Sequence, residues 1–145
     1  MCGIVGIYLK TKKFENNLGK MLSGMLNNME SRGPDSAGFA IYKNSDRKKY
    51  KYSLCINNLD FSKFKKNISQ KIKNLKLNQY SDHVILKTTE KPKKFINLIN
   101  REFPEISIVG YGHSIEIFKQ VGNPKDVVKK FNLESFTGTH GIGHT

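Results

Sequence analysis

Apolar and polar positions along the chain change period several times, and each change marks an element. Residues 2–9 carry no charge and read as a buried strand, followed by a turn over 10–13. Leu18, Met21, Leu22, Met25, Leu26 and Met29 then recur at steps of three and four, the spacing of a helix with one buried stripe. Gly33-Pro34 is expected to stop that helix, with glycine at the cap and proline unable to continue. Phe39-Ala40-Ile41-Tyr42 predicts a second strand, and Asn44-Ser45-Asp46 a turn. Tyr50, Tyr52, Leu54 and Ile56 alternate with Lys51, Ser53 and Cys55, as in a half-buried strand.

The later elements follow the same logic. Asp60 is placed to cap a helix with Phe61, Phe64, Ile68, Ile72 and Leu75 on one face. Val84-Ile85-Leu86 marks a strand. Pro92 suits the first turn of a helix holding Phe95, Ile96, Ile99 and Phe103, which Pro104 ends. Residues 106–111 and 115–121 read as strands joined around Gly112-His113. Asn123-Pro124 opens a short helix with Val127, Val128 and Phe131. The pattern predicts an α+β protein.

Composition narrows the classes. At 145 residues the length fits one domain with a real core. No apolar run approaches the ~20 residues of a membrane span. The N-terminus lacks the basic region of a signal peptide. Two cysteines make no disulfide framework, so a reducing, cytoplasmic setting is expected. The net charge is +13, but arginine occurs only at Arg32, Arg47 and Arg101, and the lysines are spread without a dense block. That distribution favours a solvated surface over a nucleic-acid site. No metal or cofactor is called for, and Cys55, with no histidine near it in sequence, reads as structural. His83, His113 and His140 receive no role.

Candidate chemistry begins at Cys2. Removal of Met1 would leave an α-amine beside the Cys2 thiol, a base and a nucleophile in one residue. Such an amine titrates near pH ~8 and a thiol near ~8.5, so the amine can take the thiol proton during attack on a carbonyl. Gly3 and Gly6 leave room for close approach. Arg32-Gly33-Pro34-Asp35-Ser36-Ala37-Gly38 forms a polar loop in which Arg32 and Asp35 can fix one another. The chain closes on Gly141-Ile142-Gly143-His144-Thr145.

Met1-Cys2-Gly3-Ile4-Val5-Gly6-Ile7, the Arg32–Gly38 loop and the His144-Thr145 segment, in this order, resemble class II glutamine amidotransferases of the N-terminal-nucleophile hydrolase fold. The resemblance implies a four-layer αββα sandwich, with Cys2 opening a central strand as nucleophile. It implies hydrolysis of glutamine through a glutamyl thioester, with ammonia passed to a synthase subunit or domain. Cys2 matches the nucleophile. Arg32, Gly33, His144 and Thr145 match substrate-binding or supporting positions. His144-Thr145 begins the family's His-Thr-Arg motif, whose arginine grips the substrate carboxylate. The chain stops before that arginine, and Asn57-Asn58 is not the family's oxyanion asparagine-glycine pair.

Residues 1–145 therefore read as the N-terminal portion of an amidotransferase domain, truncated and inactive alone. Residues 50–121 read as an inserted α+β segment, most like the amidotransferase subunit related to glutamate synthase. The alternatives are a catalytically dead, partner-binding relative and, on charge alone, a nucleic-acid-binding protein.

Overall fold

The computed structural model describes every residue except 1, 45 and 58. Met1, whose removal would free the Cys2 amine, Ser45 of the turn at 44–46 and Asn58 of the Asn57-Asn58 pair lie outside the described residues. The chain is mixed α+β with antiparallel sheets. It divides into two compact units, Met1–Asn44 with Ile117–Thr145, and Ser45–Glu116. Among the described residues no helix is long and apolar enough to cross a membrane.

The first unit is built on a four-stranded sheet in the order β1-β8-β2-β7, from β1 (Ile4–Tyr8), β2 (Ser36–Tyr42), β7 (Ile115–Val121) and β8 (His140–His144). Helix α1 (Leu18–Asn27) buries Leu18, Leu22 and Leu26 completely. Helix α4 (Pro124–Phe131) starts where the Asn123 side chain accepts from the Asp126 amide at 3.0 Å. Its Val127, Val128 and Phe131 are buried. Phe39, Phe118, Phe131 and Phe136 meet at the centre, Phe39 stacked on Phe118 with ring centroids 4.8 Å apart.

Among the described residues of this unit, α1 and α4 pack against one face of the sheet, and the other face is exposed at β1 and β8. Successive side chains of a strand point to opposite faces, and Ile4, Tyr8 and Ile142 on one face are 72%, 71% and 43% exposed. The strand read as buried over 2–9 is thus only half-buried on one side, at Val5 and Ile7, and exposed on the other. β1 also lies at an edge of the sheet rather than at its centre, with β8 as its one paired neighbour among the described residues. The α1 stripe is correct, but the helix ends at Asn27, well before Gly33-Pro34. A short 3-10 turn, Glu30–Arg32, fills the gap, and Gly33 is extended at φ −167° rather than a left-handed cap. Residues 12–17 form another 3-10 turn, which overlaps only the end of the turn expected over 10–13.

The second unit follows the order β3 (Tyr50–Cys55), α2 (Phe61–Lys71), β4 (Lys76–Tyr80), β5 (His83–Thr88), α3 (Pro92–Glu102) and β6 (Ser107–Gly112). Its sheet runs β4-β5-β3-β6. This is the βαββαβ arrangement of ferredoxin-like folds, in which two split βαβ units interleave. Tyr52, Leu54, Val84 and Leu86 share one face and pack with Phe64, Ile68, Phe95 and Ile99. Tyr52 stacks on Phe95 at 3.8 Å and donates its hydroxyl to the Glu90 carbonyl at 2.7 Å. Burial pushes its phenol well above the ordinary value. Asp60 caps α2 as predicted, accepting from the Ser62 and Lys63 amides at 2.8 and 3.3 Å. β3 is buried on both sides, not half-buried. Ser53 is fully buried, and Lys51 is buried with its Nζ 2.7 Å from Glu116 Oε1. Lys51 stands opposite Gly112, so the two ends of this unit leave the sheet side by side.

Candidate functional site

The three motif segments meet at the end of the first unit's sheet. β1 and β8 pair antiparallel, with Ile4 opposite His144, and β8 pairs in turn with β2, with Gly38 opposite His144. The β1–β8 pairing continues past the strand ends. Gly3 donates to the Thr145 carbonyl at 3.1 Å, and Thr145 donates to the Gly3 carbonyl at 2.9 Å. The Gly3 amide also lies 3.2 Å from Thr145 Oγ1, in a buried contact. Cys2 is thereby held one residue beyond a fixed backbone pair, and it is exposed.

Glycine permits this convergence. A Cβ at Gly33 would lie 2.9 Å from the Thr145 carbonyl carbon and Oγ1, and 3.0 Å from its Cβ. A Cβ at Gly3 would lie 3.1 Å from Thr145 Oγ1 and 3.3 Å from Arg32 Cβ, and would collide with Met29 Cε. Only hydrogen fits at both positions, so the 32–33 loop, the 2–3 segment and Thr145 press together. Thr145 is buried and His144 is exposed. Arg32 is exposed, and the expected Arg32–Asp35 pairing is absent among the described residues. The Asp35 carbonyl instead accepts from the Gly122 amide at 2.9 Å.

The uncovered sheet face beside this cluster holds an open apolar groove of about 600 Å³, lined by Gly38, Ala40, Val121, Ile142 and His144 among others. His144 stands on that face and ties the groove to the cluster. Elsewhere, His140 stacks on Tyr42 at 4.1 Å and His113 Nδ1 lies 2.8 Å from the Lys49 carbonyl oxygen. Sequence reading missed Met29 as a wall against Gly3, because its place in the α1 stripe made it look like ordinary core. It also missed the double backbone link between Gly3 and Thr145, which pairing across the sheet creates and no local pattern announces.

This geometry goes with similarity to proteins named as glutamine amidotransferases or as amidotransferase-like. Glutamine amidotransferase-like protein GlxB of Rhizobium meliloti (strain 1021) is 38% identical over 148 residues, which cover 100% of this chain and 49% of that protein. A protein of Methanothermobacter thermautotrophicus, named "Putative glutamine amidotransferase", is 28% identical over 158 residues, covering 100% of this chain and 51% of its own length. The chain spans about half the length of the curated relatives it matches. No family model matches it.

Proposed function

We propose that this chain forms part of the glutaminase site of a class II glutamine amidotransferase, with Cys2 as nucleophile. The observation that carries the reading is the contact among Gly3, Gly33 and Thr145, which brings the three motif segments together one residue from Cys2, whose thiol is exposed. With Met1 removed, the Cys2 amine takes the thiol proton as sulfur attacks the side-chain amide carbon of glutamine. The tetrahedral intermediate collapses, the C–N bond breaks, and the amine returns its proton to the departing ammonia. Water then attacks the thioester, releasing glutamate and restoring the thiol.

Gly33 and Thr145 act in this scheme by positioning. The Thr145 hydroxyl oxygen accepts from the Gly3 amide and so steadies the backbone that carries Cys2. Arg32 and His144, both exposed at the cluster, are the side chains with access to substrate. The arrangement fits the four-layer N-terminal-nucleophile fold, in which a second sheet would cover the face exposing Ile4, Tyr8 and Ile142. Ammonia passes to a synthase subunit or domain of the glutamate-synthase-like kind. The setting is cytoplasmic.

Cys2→Ala in the protein carrying this chain is expected to abolish ammonia release from glutamine. An N-terminal fusion that leaves the thiol intact is expected to abolish it too. Full activity with a blocked N-terminus overturns the amine mechanism. The electrophilic glutamine analogue DON should label Cys2 and spare Cys55, and equal labelling of both would indicate general thiol reactivity instead.

A further inference from the structure

The second unit holds a donor cluster that the glutaminase reading does not use. Cys55 ends β3 and stands directly opposite His83, which begins β5. Residues directly opposite on an antiparallel pair send their side chains to the same face. Asp82 precedes His83 in the two-residue turn of the β4–β5 hairpin, where Tyr80 pairs with His83 and Ser81 takes a positive φ of 54°. The turn is pinned to the end of β3, because the Ile56 amide donates to the Asp82 carbonyl at 2.8 Å. One sulfur, one imidazole nitrogen and one carboxylate oxygen from Cys55, His83 and Asp82 all lie within 4.8 Å of one another. His83 Nδ1 and Asp82 Oδ1 are 2.9 Å apart. Asn57 brings a fourth oxygen, its Oδ1 3.1 Å from Cys55 Sγ.

We propose that Cys55, Asp82 and His83 form a zinc site that clamps the β4–β5 turn to the end of β3. The donor set selects the metal. Thiolate and imidazole favour zinc and its neighbours over calcium or magnesium, which require oxygen ligands. Bond lengths of ~2.3 Å to sulfur and ~2.0–2.2 Å to nitrogen and oxygen put the donors of a tetrahedral zinc roughly 3.3–3.6 Å apart. The imidazole and carboxylate, 2.9 Å apart, need open only slightly to reach that range, and the sulfur lies within 4.8 Å of both. Asn57 Oδ1 or a water completes the four. His83 is buried, while Cys55 and Asp82 are partly exposed, giving the ion one packed wall and one route in. On binding, the Cys55 proton leaves to solvent and the metal–sulfur bond takes its place.

The site explains why no metal pattern showed in the sequence. Cys55 and His83 are far apart along the chain, and only the register of β3 on β5 brings them together. Cobalt tests the proposal, because it takes zinc's place with visible spectra. In a Cys2→Ala background of residues 1–145, which leaves Cys55 as the only thiol of those residues, one equivalent of Co²⁺ should give a sulfur-to-cobalt charge-transfer band and tetrahedral ligand-field bands. Zinc should bleach both. Cys55→Ser should remove the charge-transfer band, and Asp82→Asn should weaken zinc binding by about 10-fold or more. Zinc should also slow alkylation of Cys55 by iodoacetamide in the same background, a measurement that stands even if a variant fails to fold. Absence of the charge-transfer band, or alkylation that zinc leaves unchanged, overturns the site. Neither result bears on glutamine hydrolysis, so the two readings fail separately.

Discussion

At the scale of single residues, Gly33 shows a side chain excluded by its neighbour rather than by its backbone. Its φ of −167° is extended, a conformation open to any residue, so substitution meets no conformational penalty. What it meets is Thr145, 2.9 Å from the position of a new Cβ. Gly33→Ala should therefore destabilise the first unit by about 1–3 kcal/mol, as overpacking does, read as a lower urea midpoint. It should also lower glutamine hydrolysis in the protein carrying this chain, because Thr145 must move and Gly3 is bonded to it at two atoms. An unchanged midpoint would mean that the loop moves aside freely. Serine or valine should be worse than alanine. Gly24 offers the control, since a Cβ there meets nothing within 4 Å and its replacement in α1 should stabilise.

At the scale of elements, what the sequence made legible depended on where each element draws its stability. α1, α2 and α3 declare themselves because their apolar stripes and caps are local, such as Asp60 at α2 and Pro92 at α3. β4 escaped notice. Lys76, Asn78 and Gln79 are polar, and the segment is a strand because β5 offers it a hydrogen-bonding edge. β8 escaped for a related reason. His140-Gly141-Ile142-Gly143-His144 has poor strand propensity, yet it lies between β1 and β2 and is paired on both sides. The segments of the candidate site were legible as motifs, but their meeting point was not, because pairing at the sheet's end creates it.

Helices α2 and α3 are tied by an ion pair whose effect can be read against pH. Lys71 Nζ lies 2.8 Å from Glu102 Oε2. Hydrogen bonds from Lys71 first, then Arg101, hold the Glu102 carboxyl below its ordinary value. A depressed folded-state value contributes stability above the ordinary carboxylate range and loses it as pH falls through the depressed one. The pair is partly exposed, so the contribution is small. The difference in urea midpoint between the parent and Glu102→Gln should be present at neutral pH and vanish in acid. A difference that persists in acid would locate the effect in packing instead.

At the scale of the whole chain, we propose that the Ser45–Glu116 unit is an accessory body within the amidotransferase fold. The useful cut falls at its own boundaries, not at 50–121. β7 belongs to the first unit's sheet, and its Phe118 is fully buried against Phe39. Excising 45–116 and joining the ends with a short linker should leave ammonia release from glutamine measurable in the protein carrying this chain. Excising 50–121 should lose folding, because it removes a strand and the centre of the aromatic cluster. Loss of activity in a 45–116 deletion that keeps its circular dichroism and urea transition would show that the unit shapes the site.

The neighbouring positions of Lys51 and Gly112 also bear on the order in which the chain can fold. Before the second unit forms, β2 and β7 are joined by a floppy loop of roughly seventy residues. Once it forms, that loop becomes a rigid body on two short leads, and the entropy of bringing β2 to β7 falls by about 2 kcal/mol. β8 sits between β1 and β2, so their pairing waits for the last residues of this segment. On a ribosome the middle of the chain can thus settle while its first strand is still waiting for a partner. Cys2, translated ahead of β8 and Thr145, becomes organised only once they arrive.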